Sequence, residues 1–200
     1  AFAITTKVIG SRRRTAVSSS PTHMPKLPSP ITATVFTPGL ATCAPMLAAS
    51  IPGRAAAAGR VEYRLVQLRD FTHDRHKTVD DTPYGGGAGM VLKPAPFWEA
   101  VESLDRESQS GPIVLLSARG RRFGHADAVR LSLGERLTLL CGHYKDVDQR
   151  VADGLATGEL SLGDFVLSGG EPAALCIVDA VVRVGTFLEQ VSAVANCTLT

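Results

Sequence analysis

The chain reads as an α/β domain built on a mostly parallel sheet with helices on both faces. Two observations predict that class. Residues 113–116 (IVLL) and 137–141 (LTLLC) are largely apolar runs, the composition of strands covered on both sides. Helical patterns follow them, and strands alternating with helices build parallel sheets through crossovers. A third observation bears on chemistry: the strand ends run into glycine-bearing turns.

Taken in order, residues 31–36 (ITATVF) are β-branched and alternating enough for a strand, ended by Pro38-Gly39. Residues 46–58 are expected as one helix despite Pro52, stopped by Gly59. Residues 61–68 (VEYRLVQL) alternate as a strand, and a long polar loop follows from 69 to 89. A helix is expected over 94–104, with Pro94 near its start where a missing N–H costs little. After the strand at 113–116 comes a helix over 125–131. After the strand at 137–141, a helix opens over 146–152. A short strand is expected at 165–167, then a helix over 172–184. Residues 1–30 are rich in Ser, Thr, Pro and Arg and contain Met24. A disordered leader, an organellar transit peptide, translated sequence ahead of a start at Met24 and a fragment all fit that composition. Three regions result: 1–30 outside the fold, 31–184 as the folded domain, and 185–200 as a small, mostly uncharged tail.

Charge is unevenly spread. Before Glu62 there is no acid and there are seven basic residues; from Glu62 onward 14 basic residues meet all 19 acidic ones, a net −5. The folded part is therefore not a basic body that would hold nucleic acid by bulk charge, and RNA contact must come from local patches. No run approaches the ~18 apolar residues that cross a bilayer, so no membrane role is expected. Cys43, Cys141, Cys176 and Cys197 are scattered without a C-x-x-C pair, which fits reduced thiols and neither a disulfide framework nor a zinc site.

The candidate chemistry sits in three turns: Leu116-Ser117-Ala118-Arg119-Gly120, Cys141-Gly142-His143-Tyr144, and Ser161 to Asp164 with Ser168-Gly169-Gly170-Glu171. Ligands of open α/β sheets bind outside the carboxyl ends of the strands, and glycine there lets main chain approach a ligand closely. The plainer alternative is that each glycine only closes a turn. Tyr84 to Met90 (YGGGAGM) follows a polar loop and lacks the Gly-Lys-Ser/Thr ending of a P-loop, and no G-x-G-x-x-G follows the first strand. His73 and His76 form an i, i+3 pair without a third ligand nearby, a poor metal signal. The same loop offers cations for phosphates and carboxylates for a guanine edge. A structureless loop of about 20 residues is uncommon unless functional or disordered.

Several motifs in order resemble one family. Residues 69–81 (RDFTHDRHKTVDD) with 83–90 (PYGGGAGM), 141–144 (CGHY), 161–171 (SLGDFVLSGGE) and 179–183 (DAVVR) are similar to the bacterial tRNA (guanine-N1)-methyltransferases of the TrmD type. Residues 31–59 resemble that family's first strand and helix, so the likeness covers roughly three quarters of the chain. The resemblance implies an α/β-knot (SPOUT) fold with a deep trefoil knot, a rare exception to the unthreaded-loop rule. It implies S-adenosylmethionine as donor, a magnesium requirement, tRNA as substrate, a homodimer with active sites across the interface, and methylation of guanosine N1 at tRNA position 37.

Carried over by residue, Leu116, Ser117, Gly120, Gly142, Tyr144, Leu162, Gly163, Asp164, Phe165, Val166, Leu167, Gly169 and Gly170 are expected around the donor. Asp80 and the Tyr84–Gly89 loop are expected at the guanine, with Arg75 and His76 near RNA and Arg183 steadying the guanine O6. The family is cytoplasmic in bacteria; an acid-free, Arg/Ser-rich front also suits delivery to a mitochondrion or plastid. The sequence departs from the pattern at Ala118 and Ala173, where the family usually has Pro, and at Lys145, where it has Glu. The family's aspartate base, its linker and its second domain have no counterpart after Arg183, where Glu189 is the only acid. A second reading therefore stands beside the enzyme: a non-catalytic remnant that binds the donor or RNA.

Overall fold

The computed structural model describes residues 4–5, 30–83, 85–104, 111–143 and 145–197. Its main sheet has six strands: β1 (Ile4–Thr5), β2 (Ile31–Thr37), β3 (Val61–Gln67), β6 (Ile113–Arg122), β7 (Arg136–Cys141) and β9 (Gly158–Ser161). They lie in the order β1-β3-β2-β7-β6-β9. Only β1 runs antiparallel to its neighbour; every other pairing is parallel. The expected class is borne out.

Side-chain alternation divides the interior into two layers. Val35, Leu137, Leu139, Val114 and Leu116 face one side, against α1 (Leu40–Leu47), α2 (Ser50–Ala57), α4 (His125–Ser132) and α6 (Glu171–Cys197). Phe36, Ile113, Leu115 and Leu140 face the other, against α3 (Pro94–Glu102) and α5 (Gln149–Gly154). Phe36, Leu115, Leu139 and Leu140 have no exposed surface at all. Strands packed on both faces need no polar side, which is why their sequences read as apolar runs.

Four elements differ from expectation. The helix expected over 146–152 is a strand at Asp146–Val147, drawn into pairing with Val91–Leu92, followed by a helix at Gln149–Gly154. The single helix expected over 46–58 is two helices, α1 and α2, and Ser50 turns the chain between them at φ +52°. Pro52 then falls in the first turn of α2, where its ring obstructs nothing. The strand expected at 165–167 is absent. The strand lies earlier, at Gly158–Ser161, while Phe165, Val166 and Leu167 are exposed loop residues. The last helix starts at Glu171, one residue ahead of the expected Pro172, and runs on through Gly185 to Cys197.

The long loop is partly ordered by a second, smaller sheet. β4 (Asp80–Asp81) pairs antiparallel with β5 (Val91–Leu92), and β5 pairs parallel with β8 (Asp146–Val147). Asp74 ties the outer part of the loop by accepting from the Thr78 N–H at 2.9 Å and its hydroxyl at 2.8 Å. Among the described residues no helix is long and apolar enough to cross a membrane.

Helix α4 begins without a side-chain cap at Gly124, and Asp127 compensates from the third position. Its carboxylate accepts from the Gly124 N–H at 3.1 Å, the reaching-back half of a capping box. It also accepts from Arg121 at 2.9 Å and Arg130 at 3.2 Å. The Arg121 guanidinium above all, with the Gly124 N–H and Arg130 beside it, holds the carboxyl well below the usual carboxylate range. A depressed folded value contributes stability above the unfolded pKa, near 3.9, and that stability is lost as pH falls through the folded value. Asp127→Ala is expected to cost about 1–2 kcal/mol in urea denaturation at pH 7, the scale of a lost helix cap. The gap to wild type should narrow steadily below about pH 4; an equal gap at pH 7 and pH 3 would refute the assignment.

Candidate functional site

The parallel order β7-β6-β9 sets three carboxyl-terminal strand ends side by side, and each continues into one of the glycine-bearing turns. On β6 the register breaks: Leu160 pairs with Leu116 and again with Arg121, so the intervening residues bow away from the sheet. Gly120 makes this possible. A Cβ there would stand 2.6 Å from the backbone carbon of Leu160, closer than real contacts allow. The chain then re-anchors where the Phe123 N–H donates to the Ser161 carbonyl at 2.7 Å.

The second and third turns meet in the same way. Gly170 donates its N–H to the Gly142 carbonyl at 2.7 Å, and a Cβ on Gly170 would lie 2.8 Å from the Cys141 Cα. His143 and Gly169 form an antiparallel bridge beside it. Within the third turn the Ser161 hydroxyl donates to the Gly163 carbonyl at 2.9 Å.

Between the turns lies a narrow open cleft of about 100 Å³. Of the residues expected around a donor, Leu116, Ser117, Gly142, Leu162, Phe165, Val166, Leu167, Gly169 and Gly170 are on its wall. Gly120, Gly163 and Asp164 are not; Gly120 serves the close approach to Leu160, and Gly163 packs under the Phe165 ring. Tyr144 and Tyr84 fall outside the described residues. Of the other wall residues, sequence reasoning did not mark Asp146 or Leu160; it marked His143, Ser161 and Ser168 only as members of the turns, and Ala118, Lys145 and Ala173 as departures from the family pattern.

A buried carboxylate braces this region. Glu171, 4% exposed at the start of α6, accepts from the Thr37 hydroxyl at 2.6 Å and lies 3.5 Å from His143 Nδ1. The carboxylate leaves no room for a Cβ at Gly39 or Gly169. Burial first, and then the charge of Glu171, pushes the Cys43 thiol up to about 11 and raises Cys141 as well. Both thiols are therefore structural, not nucleophilic. The position of Glu171, directly after the Ser-Gly-Gly turn and at a helix start, was the signal available for it.

The residues expected at the acceptor do not join the cleft wall. Arg75 and His76 are exposed, and Asp80 is half-buried in β4. Gly85, Gly86, Gly87 and Gly89 all have positive φ, which explains the glycine run. Gly89 touches the cleft indirectly, packing against the side chain of Lys145. Arg183 is exposed on α6, 12 residues beyond Glu171 and so about 18 Å along the helix axis. His73 Nε2 lies 2.8 Å from Glu99, and among the described residues no group of three or more His, Cys, Asp or Glu is arranged to hold a metal.

Residues 32–196 match the family model described as tRNA (Guanine-1)-methyltransferase TrmD. The chain belongs to this family. A tRNA (guanine-N(1)-)-methyltransferase of Dehalococcoides mccartyi strain 195 is 51% identical over 135 residues, covering 67% of this chain and 54% of the relative. One from Geobacillus kaustophilus is 48% identical over 138 residues, covering 69% and 57%. Among solved structures, the tRNA (m1G37) methyltransferase of Aquifex aeolicus superposes with a TM-score of 0.72 at 37% identity. That likeness covers 78% of this chain and 70% of the other. The chain spans about half the length of the curated relatives it matches.

Because the turns of this family member are joined main chain to main chain, an added methyl group has nowhere to go. Gly120→Ala and Gly170→Ala are each expected to cost about 1–3 kcal/mol, as overpacking does. Gly158→Ala, on the edge strand β9 and facing open space, should stay within about 0.5 kcal/mol of wild type. Urea denaturation of the three variants checks this, and equal losses would sink the account.

Proposed function

We propose that the protein methylates N1 of guanosine at position 37 of tRNA with S-adenosylmethionine as donor. The observation that carries this is the convergence of three glycine-bearing turns on one cleft in a chain of this family. The wall suits the donor in chemistry. Main chain and small residues can offer amide and carbonyl groups to an adenine edge, and Leu116, Leu162 and Val166 supply apolar surface. At about 100 Å³ the cleft is smaller than most small-molecule sites, so the exposed Phe165–Leu167 segment has to swing outward to admit a ligand. Threading of these turns into a trefoil knot belongs to the same proposal.

Bound S-adenosylmethionine supplies an activated methyl group on a sulfonium. The protein's part is to align donor and acceptor and to manage the proton on guanine N1. Asp80 and the Tyr84–Gly89 loop present the guanine, with Arg75 and His76 toward the RNA backbone. Arg183 steadies the O6 as negative charge develops there. Its exposure and its distance from the cleft of its own chain support a homodimer in which α6 serves the partner's site. The donor set does not make a magnesium site: Asp146, a carboxylate on the cleft, is paired with Arg119 at 3.3 Å. No step is assigned to a metal. The cytoplasm, the family's bacterial setting, is the proposed location, with an organelle the alternative if residues 1–30 act as a transit peptide.

Because the proton on guanine N1 must leave as the methyl arrives, transfer is expected to accelerate with pH. The test combines calorimetry and catalysis. S-adenosylhomocysteine should bind the wild type, and Val166→Asp should weaken it about tenfold by placing a charge on the apolar wall. With labelled donor and unmodified tRNA carrying guanosines at 36 and 37, the product should be 1-methylguanosine at 37. Arg183→Ala should lower transfer about a hundredfold and leave S-adenosylhomocysteine affinity unchanged. Label on another atom, or no ligand binding, would overturn the proposal.

A further inference from the structure

Lys145 joins two parts of the molecule that otherwise stay separate. It lines the cleft, and its backbone N–H donates to the Met90 carbonyl at 3.1 Å, fastening it to the end of the glycine loop. Its aliphatic stem lies along Gly89: a Cβ there would be 3.3 Å from the Lys145 Cβ and 3.5 Å from its Cδ. Its ammonium reaches onward to Gly87, where a Cβ would stand 3.6 Å from Nζ. The lysine arm thus runs along the seam between cleft and loop.

The charges around that seam are unequal. Asp146, the next residue and also on the wall, is held by Arg119 at 3.3 Å, so this pair is internally balanced. Among the described residues no carboxylate forms an ion pair with Lys145. A positive charge without a matching anion therefore stands at the loop end of the cleft.

Resting on the reading that the cleft holds S-adenosylmethionine, we propose that Lys145 binds the α-carboxylate of the donor's amino-acid portion. The reactive methyl must face the acceptor, so the loop end of the cleft receives the sulfonium and the amino-acid group, and the adenine lies at the far end. The amino-acid group carries one carboxylate, and the lysine ammonium is the cation on that side. A tRNA phosphate is the competing anion. The cleft-wall position of Lys145 favours the donor.

The test measures affinity, so it does not depend on turnover. S-adenosylhomocysteine and its decarboxylated form, which lacks only the carboxylate, are titrated calorimetrically into wild type, Lys145→Met and Lys145→Arg. Methionine keeps the apolar stem against Gly89 and removes the charge; arginine keeps the charge. Lys145→Met should bind S-adenosylhomocysteine about three- to tenfold more weakly, the range of a partly exposed ion pair. It should bind the decarboxylated form as wild type does, and Lys145→Arg should restore most of the loss. Equal losses for both compounds, no loss for either, or a loss confined to tRNA affinity would overturn the assignment. Wild type that binds neither compound would instead overturn the reading of the cleft itself, and this inference with it.

Discussion

Main chain packed against main chain, with no side chain between, is the constraint from which the site follows. Phe123 reaches Ser161 and Gly170 reaches Gly142, each by a 2.7 Å hydrogen bond. One such bond contributes only about 0.5–1.5 kcal/mol net, and the second joins turns far apart in sequence. The bonds alone could not gather the turns. Parallel pairing of β7, β6 and β9 does that first, and burial of Leu139, Leu137 and Ile177 between sheet and α6 holds the arrangement. Glycine at 120 and 170 then lets the turns close the last few ångströms. The resulting wall sets glycines and small residues beside Leu116, Leu162 and Val166, on strand ends that the fold holds in place.

Glu171 adds a second fastening of a different kind. A buried carboxylate is costly unless hydrogen-bonded. Here the Thr37 hydroxyl and the beginning of a 27-residue helix meet that need. The same carboxylate faces the His143 ring, and burial first, with its charge second, pushes the Cys43 thiol up to about 11, so no second negative charge develops next to it. The end of β2, the turn after β7 and the start of α6 are thereby tied at a single point, behind the cleft.

How much of this was legible in the sequence depends on what each residue packs against. Buried strands such as 113–116 and 137–141 announce themselves because both of their faces are apolar. β9 does not, since Gly-Glu-Leu-Ser is a half-exposed edge with no apolar run. Phe165-Val166-Leu167 misled in the opposite direction: its composition is that of a strand, but it is exposed on the cleft rim, where a binding surface and a core segment look alike. The broken helix after Gly39 turned on Ser50 at positive φ, which no propensity foretells. In the site, glycines marked the turns correctly. Lys145 was noted as a charge reversal from the family pattern; His143 and Asp146 were passed over because charge in a loop looks the same whether it faces solvent or a ligand.

The geometry also separates two tasks within one chain. The cleft is assembled from strand ends braced by a doubly covered sheet. The groups expected to act on the acceptor stand on the glycine loop, on the small sheet of β4, β5 and β8, or far along α6. Contact between the two sets runs through β5 and β8, whose pairing places Val91 opposite Asp146, and through the lysine beside it. A disturbance of the acceptor loop would reach the cleft chiefly along that short ladder. Arg183, about 18 Å away along a rigid helix, has no such path through its own subunit. On the proposed reading, donor binding and acceptor chemistry are for that reason separable: the first belongs to the strand-end cleft, the second to exposed side chains that another surface must meet.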